Sequence, residues 1–273
     1  GRWPAGAAAG ADAGPCAAEG GGPGPASAGL AGLFPFLFSF GCLMAFLGPT
    51  WLMVHLSHDP NVVYWLGHCC ELALLLPLPF FVAFFVQARL ERPHKPTILL
   101  SLLLPSAVLL VLGDVLTTIS ANRAEQLRST DCDAFTQKRD LERSWEAAHR
   151  LYMNCLEHTL PSHNLTLDVA MTLFRIQDCD EFEAAYAEHA RDWDYLWMLE
   201  ELHQCGGWCS AGRPLWTLQA VSDSCSVAVS QLFSGKVRRM AEQAAAHGLV
   251  VLVGTSLGNL LLGPGLRARG FTW

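Results

Sequence analysis

Apolar residues in this chain gather into long runs, and polar residues gather between them. The first run extends from Leu30 to about Leu56, the second from Val62 to about Ala88, and the third from Thr97 to about Ser120. A fourth, shorter and richer in glycine, covers about Ala244 to Leu262. Each is long enough to cross a hydrocarbon core of about 30 Å as a helix. Pro35 and Pro49 are expected to kink or trim the first run, Pro77 and Pro79 to disturb the second, and Pro105 to interrupt the third. Asp59-Pro60-Asn61 reads as a turn, and the stretch from Arg89 to Pro96 as a short basic turn.

The long polar stretch before the fourth run carries helical periodicity of its own. Leu141, Trp145, Ala148, Tyr152 and Cys155 form one stripe. Phe182, Tyr186, His189, Trp193, Leu196 and Leu199 form a cleaner one. Asp180 and Glu183 are spaced as an acidic capping box at its start, and Cys205-Gly206-Gly207 is expected to end it. A third stripe, Val229, Phe233, Val237, Met240 and Ala244, leads into the last apolar run.

The expected fold is all-α: an integral membrane four-helix bundle with a disulfide-linked helical extracytoplasmic domain. Its parts are a Gly/Ala/Pro-rich tail at 1–29, transmembrane helices 1–3 within 30–120, and the loop domain at 121–243. Transmembrane helix 4 at 244–264 and a C-terminal tail at 265–273 follow. The tail at 1–29 is expected to be disordered when alone, because such composition buries little apolar surface. Beginning at Gly1 without methionine, the chain is expected to be processed or truncated.

Composition agrees with lipid as a solvent. Hydrophobic residues make up 51% and charged residues 16%, well below the quarter or so of an ordinary soluble domain. The net charge of −7 argues against a nucleic-acid partner. Lys and Arg lie on the second link and at the C-terminal end, with Arg267 and Arg269, while the Ser57–Asn61 link has none. That bias puts both termini on the cytoplasmic (or stromal) side and the long polar loop opposite.

Cys132, Cys155, Cys179, Cys205, Cys209 and Cys225 all fall in that loop, an even set that suggests disulfides in an oxidising compartment. Asn164-Leu165-Thr166 is a candidate glycosylation sequon. A zinc site at Cys205 and Cys209 with His203 is the competing reading of the Cys-Gly-Gly-Trp-Cys stretch. Thiol–quinone redox chemistry would call for a Cys-x-x-Cys pair, and none occurs; Cys69 and Cys70 are adjacent and in an apolar setting.

Three membrane helices, a short basic turn, and a cysteine-bearing helical loop before a fourth helix together resemble the tetraspanin family. The local match is Asp192-Trp193-Asp194-Tyr195-Leu196 through Cys205-Gly206-Gly207-Trp208-Cys209, similar to the helix that leads into the family's Cys-Cys-Gly motif. Here a single cysteine stands where the family has two adjacent ones, and the first extracytoplasmic link is unusually short. The resemblance implies that Cys205 pairs with Cys225. It also implies a non-enzymatic role, binding other integral membrane proteins laterally and organising or stabilising a complex.

Other readings stay open from the residues alone. One is an accessory subunit of a photosynthetic (thylakoid) or respiratory supercomplex, and another is a membrane thiol–quinone oxidoreductase. The membrane itself is plasma membrane or endomembrane, or a thylakoid or mitochondrial inner membrane. Inside the apolar runs, His68, Glu71 and Asp114 are the ionisable residues. They serve as polar glue between helices, a proton relay, or, at His68, a pigment ligand. No catalytic residue, metal or obligatory cofactor is expected, though pigments or lipids would bind in a photosynthetic setting. Gly254 and Gly258, like Gly41 and Ala45, form small-residue faces suited to close helix packing, inside the chain or against a partner. Trp193 is expected in the loop's core, and Trp197, off the centre of its stripe, on a partner surface.

Overall fold

A computed structural model describes residues 25–67, 71, 74–90, 94–133, 135–163 and 166–268. Every regular element among them is helical. In chain order these are α1 (Pro25–Ser57), α2 (Pro60–Leu66), α3 (Leu78–Leu90), α4 (Lys95–Arg128) and α5 (Thr136–His163). They continue with α6 (Leu167–Leu173), α7 (Phe182–His203), α8 (Cys225–Leu232) and α9 (Arg238–Ala268). A 3-10 turn at Ile176–Asp178 precedes α7, and a π-helical turn at Phe233–Val237 joins α8 to α9 without a break. The tail at 1–24, His68, Cys69, Cys70 and Asn164 lie outside the described residues.

Three helical stretches are long and apolar enough to cross a membrane: Pro35–Ser57, Lys95–Arg128 and Cys225–Leu261. The first and third apolar runs therefore form continuous helices, and the third continues past Ser120 to Arg128. Pro35, Pro49 and Pro105 are all carried inside helices.

The second run differs from its expectation. Instead of one span from Val62 to Ala88, α2 stops at Leu66, where Gly67 turns the chain with φ of 65°. Helical structure of length resumes only at Leu78, after Pro77. Proline lacks the N–H that the preceding turn needs, so two of them within three residues stop a helix from propagating through. At 1.5 Å per residue the 13-residue α3 is only about 20 Å long.

The apolar helices contact one another in ring order: α1 on α3, α3 on α4, α4 on α9, and α9 on α1. The α4–α9 seam is by far the most extensive. It is made by small residues. A Cβ placed on Gly113 would lie 2.7 Å from the Ala241 carbonyl oxygen and 2.8 Å from Ala245 Cβ. One placed on Gly248 would lie 2.6 Å from the Ser106 carbonyl oxygen. Backbones this close need glycine at both points.

The polar loop packs as a helical unit above this ring. Trp193, Trp208 and Trp216 are fully buried there, with Leu141, Tyr152, Leu199 and Phe233 around them. Cys132–Cys209, Cys155–Cys179 and Cys205–Cys225 form its three disulfides. The last is the pair the resemblance implies. With so small a core, cross-links that shorten the unfolded chain's freedom matter more than they would in a large domain.

Two local expectations are corrected. The acidic capping box at Asp180 and Glu183 is not formed: Glu181 occupies the N-cap of α7 in a helical conformation, with no side-chain cap bond. At the other end, Gln204 rather than glycine takes the left-handed conformation, with φ of 51°. Its N–H still reaches the Glu200 carbonyl, and Gly207, at φ of 73°, makes the next turn. The stop is where the glycines signal it, displaced by one residue.

Candidate functional site

Where the disulfide-linked unit meets the ends of the apolar helices, polar and aromatic side chains from distant parts of the sequence converge. Asp59 caps α2, its Oδ1 accepting from the backbone N–H of Asn61 at 3.0 Å and from Asn61 Nδ2 at 3.2 Å. Its other oxygen accepts from Lys236 Nζ at 2.8 Å. Lys236 stands in the π-helical turn, so this ion pair ties the α1–α2 corner to the root of α9. A π turn widens the helix by one residue and re-aims the side chains on it.

A buried chain of hydrogen bonds runs on from Asn61. Tyr195 donates its hydroxyl to Asn61 Oδ1 at 2.9 Å and accepts from Trp65 Nε1 at 2.7 Å. Tyr64 lies flat on Tyr195, with ring centroids 3.8 Å apart and planes within 2°. Its hydroxyl donates to Asp192 Oδ1, whose Oδ2 accepts from Ser144. Trp65 stacks on Trp208, and Trp208 Nε1 donates to the Lys138 carbonyl. Burying polar groups in aromatic surroundings is tolerable because each finds a partner. The short α2 therefore belongs with the cysteine-bearing unit as much as with the apolar ring.

Electrostatics at this seam follow from burial. Burial pushes the Asp59 carboxyl upward, but hydrogen bonds from Lys236 and Asn61 together outweigh it and hold the group below the usual carboxylate range. His203, at the lower end of α7, has its pKa lowered chiefly by burial, with nearby Asp59 and Lys236 pulling in opposite directions. Its Nε2 is buried with no hydrogen-bond partner among the described residues.

Two further buried charges fasten the unit. The Lys138 ammonium donates to the carbonyls of Gln126 (3.2 Å), Ser129 (2.6 Å) and Asp131 (3.1 Å). It thereby closes the C-terminal end of α4, where unpaired carbonyls concentrate negative charge. Glu200 accepts backbone N–H groups from Leu215 (2.9 Å), Trp216 (2.8 Å) and Thr217 (3.1 Å). Burial nevertheless dominates these three bonds and lifts the Glu200 pKa to about 7.

The residues singled out from sequence distribute unevenly. Glu71 is exposed, between the end of α2 and the start of α3. Asp114 is exposed on α4. Its neighbour Gly113 packs on Ala241 and Ala245, so Asp114 lies level with Glu242, which pairs with Arg238 on the outside of α9. Gly254, Gly258 and Gly41 have nothing within 4 Å of a Cβ position, so these small faces do not pack against other described residues. Gly113 and Gly248 do that instead. Trp193 is 1% exposed and Trp197 is 41% exposed.

The zinc reading of the Cys205–Cys209 stretch finds both cysteines engaged in disulfides with other partners. Cys132, Cys209 and Glu142 approach one another, but the two sulfurs are bonded together and Glu142 accepts from the Cys209 N–H at 3.0 Å. Among the described cysteines, Cys42 is the free one, and it is buried in α1. No protein-family model matches this chain, and comparisons with curated proteins and with solved structures find no match.

Proposed function

We propose that this chain is a multi-pass membrane protein of tetraspanin-like layout that binds other membrane proteins laterally and organises or stabilises their complex, without catalysis. In this reading α1, α3, α4 and α9 form a four-helix membrane bundle. The stretch around Leu74 and Leu75, both exposed, lengthens the short α3 toward the outer boundary. Exposed Trp51 on α1 marks that boundary, since tryptophan favours the membrane–water interface. Asp114 and the Arg238–Glu242 pair lie near the same depth, where charge is inexpensive.

The observation that carries the reading is the seam. A disulfide-knit unit is fastened to the helix ends by the Asp59–Lys236 pair and the α2–α7 aromatic stack, and its α7 turns an exposed Trp197 outward. Such an arrangement holds a recognition surface at a set height and angle beside the bundle, which suits partners in the same membrane. Outward Gly41, Gly254 and Gly258 offer close-approach faces to their helices.

Purification in a gentle detergent, followed by identification and quantification of co-migrating proteins and pigments, tests the proposal. A stoichiometric membrane-protein partner is the expected result. A lone, monodisperse protein from its native membrane overturns it. Glycosidase sensitivity at Asn164 reads the orientation separately.

A further inference from the structure

The outer face of α7 carries exposed apolar side chains and a large excess of negative charge. The helix carries six carboxylates against a single arginine. At 100° per residue, Glu183, Asp194, Met198 and Glu201 fall within a sector of about 60°. Trp197 flanks the sector on one side and Leu202 on the other. Glu183, Asp194 and Glu201 are exposed, Trp197 is 41% exposed and Leu202 is 62% exposed. Met198 is half-buried against the core, and Asp194 Oδ1 accepts from the Tyr186 hydroxyl at 2.6 Å, leaving its second oxygen for a partner. The helix's own cation, Arg191, lies at the Leu202 edge of this face, where its guanidinium leans over the Tyr64 ring at 5.1 Å. By contrast, the opposite face of α7, with Trp193, Leu196 and Leu199, is the core of the unit.

We infer that this face of α7 is a docking surface for an arginine- or lysine-bearing segment of a neighbouring membrane protein's extracytoplasmic portion. Charge complementarity selects the occupant: a basic side chain between Asp194 and Glu201 meets carboxylates on both sides and the Trp197 ring at its edge. Guanidinium over an indole face adds cation–π attraction to the ion pairing. Exposed Leu202, with the outer part of half-buried Met198, covers the stems of such long side chains. Cys205–Cys225 ties the lower end of α7 to the start of α8, so the face stands close to the bilayer and is reached sideways. The same carboxylates repel anionic lipid headgroups, and they repel an identical acidic face on a second copy.

This inference rests on the lateral-binding reading and names the surface and partner chemistry it uses. Its test uses the full-length protein in phosphatidylcholine nanodiscs, with a fluorescent peptide of alternating arginine and serine as probe and anisotropy as readout. Binding to the wild type is expected. It is expected to weaken by roughly tenfold in the triple variant Glu183→Gln, Asp194→Asn, Glu201→Gln, and about threefold in Trp197→Leu. A control triple, Glu125→Gln, Asp133→Asn, Glu157→Gln, removes the same charge elsewhere and is expected to bind like wild type. Retained near-ultraviolet circular dichroism shows that each variant is folded. Equal weakening in the control, no binding by the wild type, or cross-linking of two copies through α7 overturns the inference. Each of these outcomes leaves stoichiometric co-purification, the test of lateral binding itself, to succeed or fail separately.

Discussion

Glu200 makes the stability of the cysteine-bearing unit depend on pH in an unusual direction. Its side chain is 1% exposed in α7, and its two oxygens take the N–H groups of Leu215, Trp216 and Thr217. Burial raises its pKa from 4.5 to about 7, so the folded protein holds this proton more tightly than the unfolded chain does. The stabilising contribution of the proton is therefore fully present below about pH 4.5 and is lost as pH rises through 7. At 1.36 kcal/mol per pKa unit, the difference between pH 4.5 and pH 8 amounts to roughly 3 kcal/mol. Glu142, raised by burial, works in the same direction, while Asp59, held low, works the other way. Comparison with Glu200→Gln isolates the one group. Glutamine cannot titrate, and its amide nitrogen must face at least one backbone N–H, which costs about 1–3 kcal/mol at every pH. Thermal unfolding in detergent, followed by near-ultraviolet signals from buried Trp193 and Trp216, is the assay. The wild-type midpoint should rise between pH 8 and pH 5 relative to the variant's. Parallel pH profiles for the two proteins would refute the reasoning.

Other perturbations follow from the same contacts. Lys138→Met leaves three carbonyls at the end of α4 without their donor and should destabilise the protein by about 3 kcal/mol, read as a lowered unfolding midpoint with loss of amide protection at 126–131. Gly248→Val drives a side chain into the Ser106 carbonyl and should cost more than about 2 kcal/mol, whereas Gly254→Ala, with open space around it, should stay within about 0.5 kcal/mol. Lys236→Met strands the Asp59 carboxylate in a buried corner. Hydrogen exchange of the Asn61–Leu66 amides should then accelerate by on the order of tenfold, and an unchanged exchange pattern would show that the ion pair does not hold the seam.

Much of the architecture was legible because long apolar runs obey a crude and strong rule. Runs of apolar residues without charges announce helices, and the helical stripes of the loop announced its core: Leu141, Ala148, Tyr152, Leu196, Leu199, Val229 and Phe233 are all buried. The same stripes also separate buried Trp193 from exposed Trp197. It fails at α2. Val62, Tyr64, Trp65 and Leu66 are apolar enough to read as the start of a membrane helix. Composition cannot show that Tyr64 and Trp65 face a tyrosine and a tryptophan more than a hundred residues away. The prolines at 77 and 79 gave the one local hint that the run is not continuous. Glycine spacing is ambiguous in the same way. Gly254 and Gly258 satisfy the small-xxx-small pattern yet face outward, while the working seam uses Ala241, Ala244, Ala245 and Gly248, a stripe of equal periodicity. Periodicity names a face without naming what lies opposite. Lys138, Glu200 and the Lys236 that pairs with buried Asp59 carry no signal at all, because such charges are recognisable only by partners that the fold brings to them.

Two of those charges, Lys138 and Lys236, share a logic that bears on function. The cysteine-bearing unit is connected to the apolar ring by two helices, α4 entering and α8–α9 leaving, and two such struts alone would let it rock about the line between them. Lys138 stiffens the first strut by closing its end, and Lys236 joins the second to the α1–α2 corner through Asp59. The stacked Tyr64 and Tyr195 then give a third point of attachment away from that line. Three non-collinear attachments fix an orientation where two do not. Disulfides inside the unit make it rigid, and these contacts hold its direction relative to the apolar helices. A surface such as the outer face of α7 gains affinity from that restraint, because little orientational freedom is left to lose when a partner docks beside it.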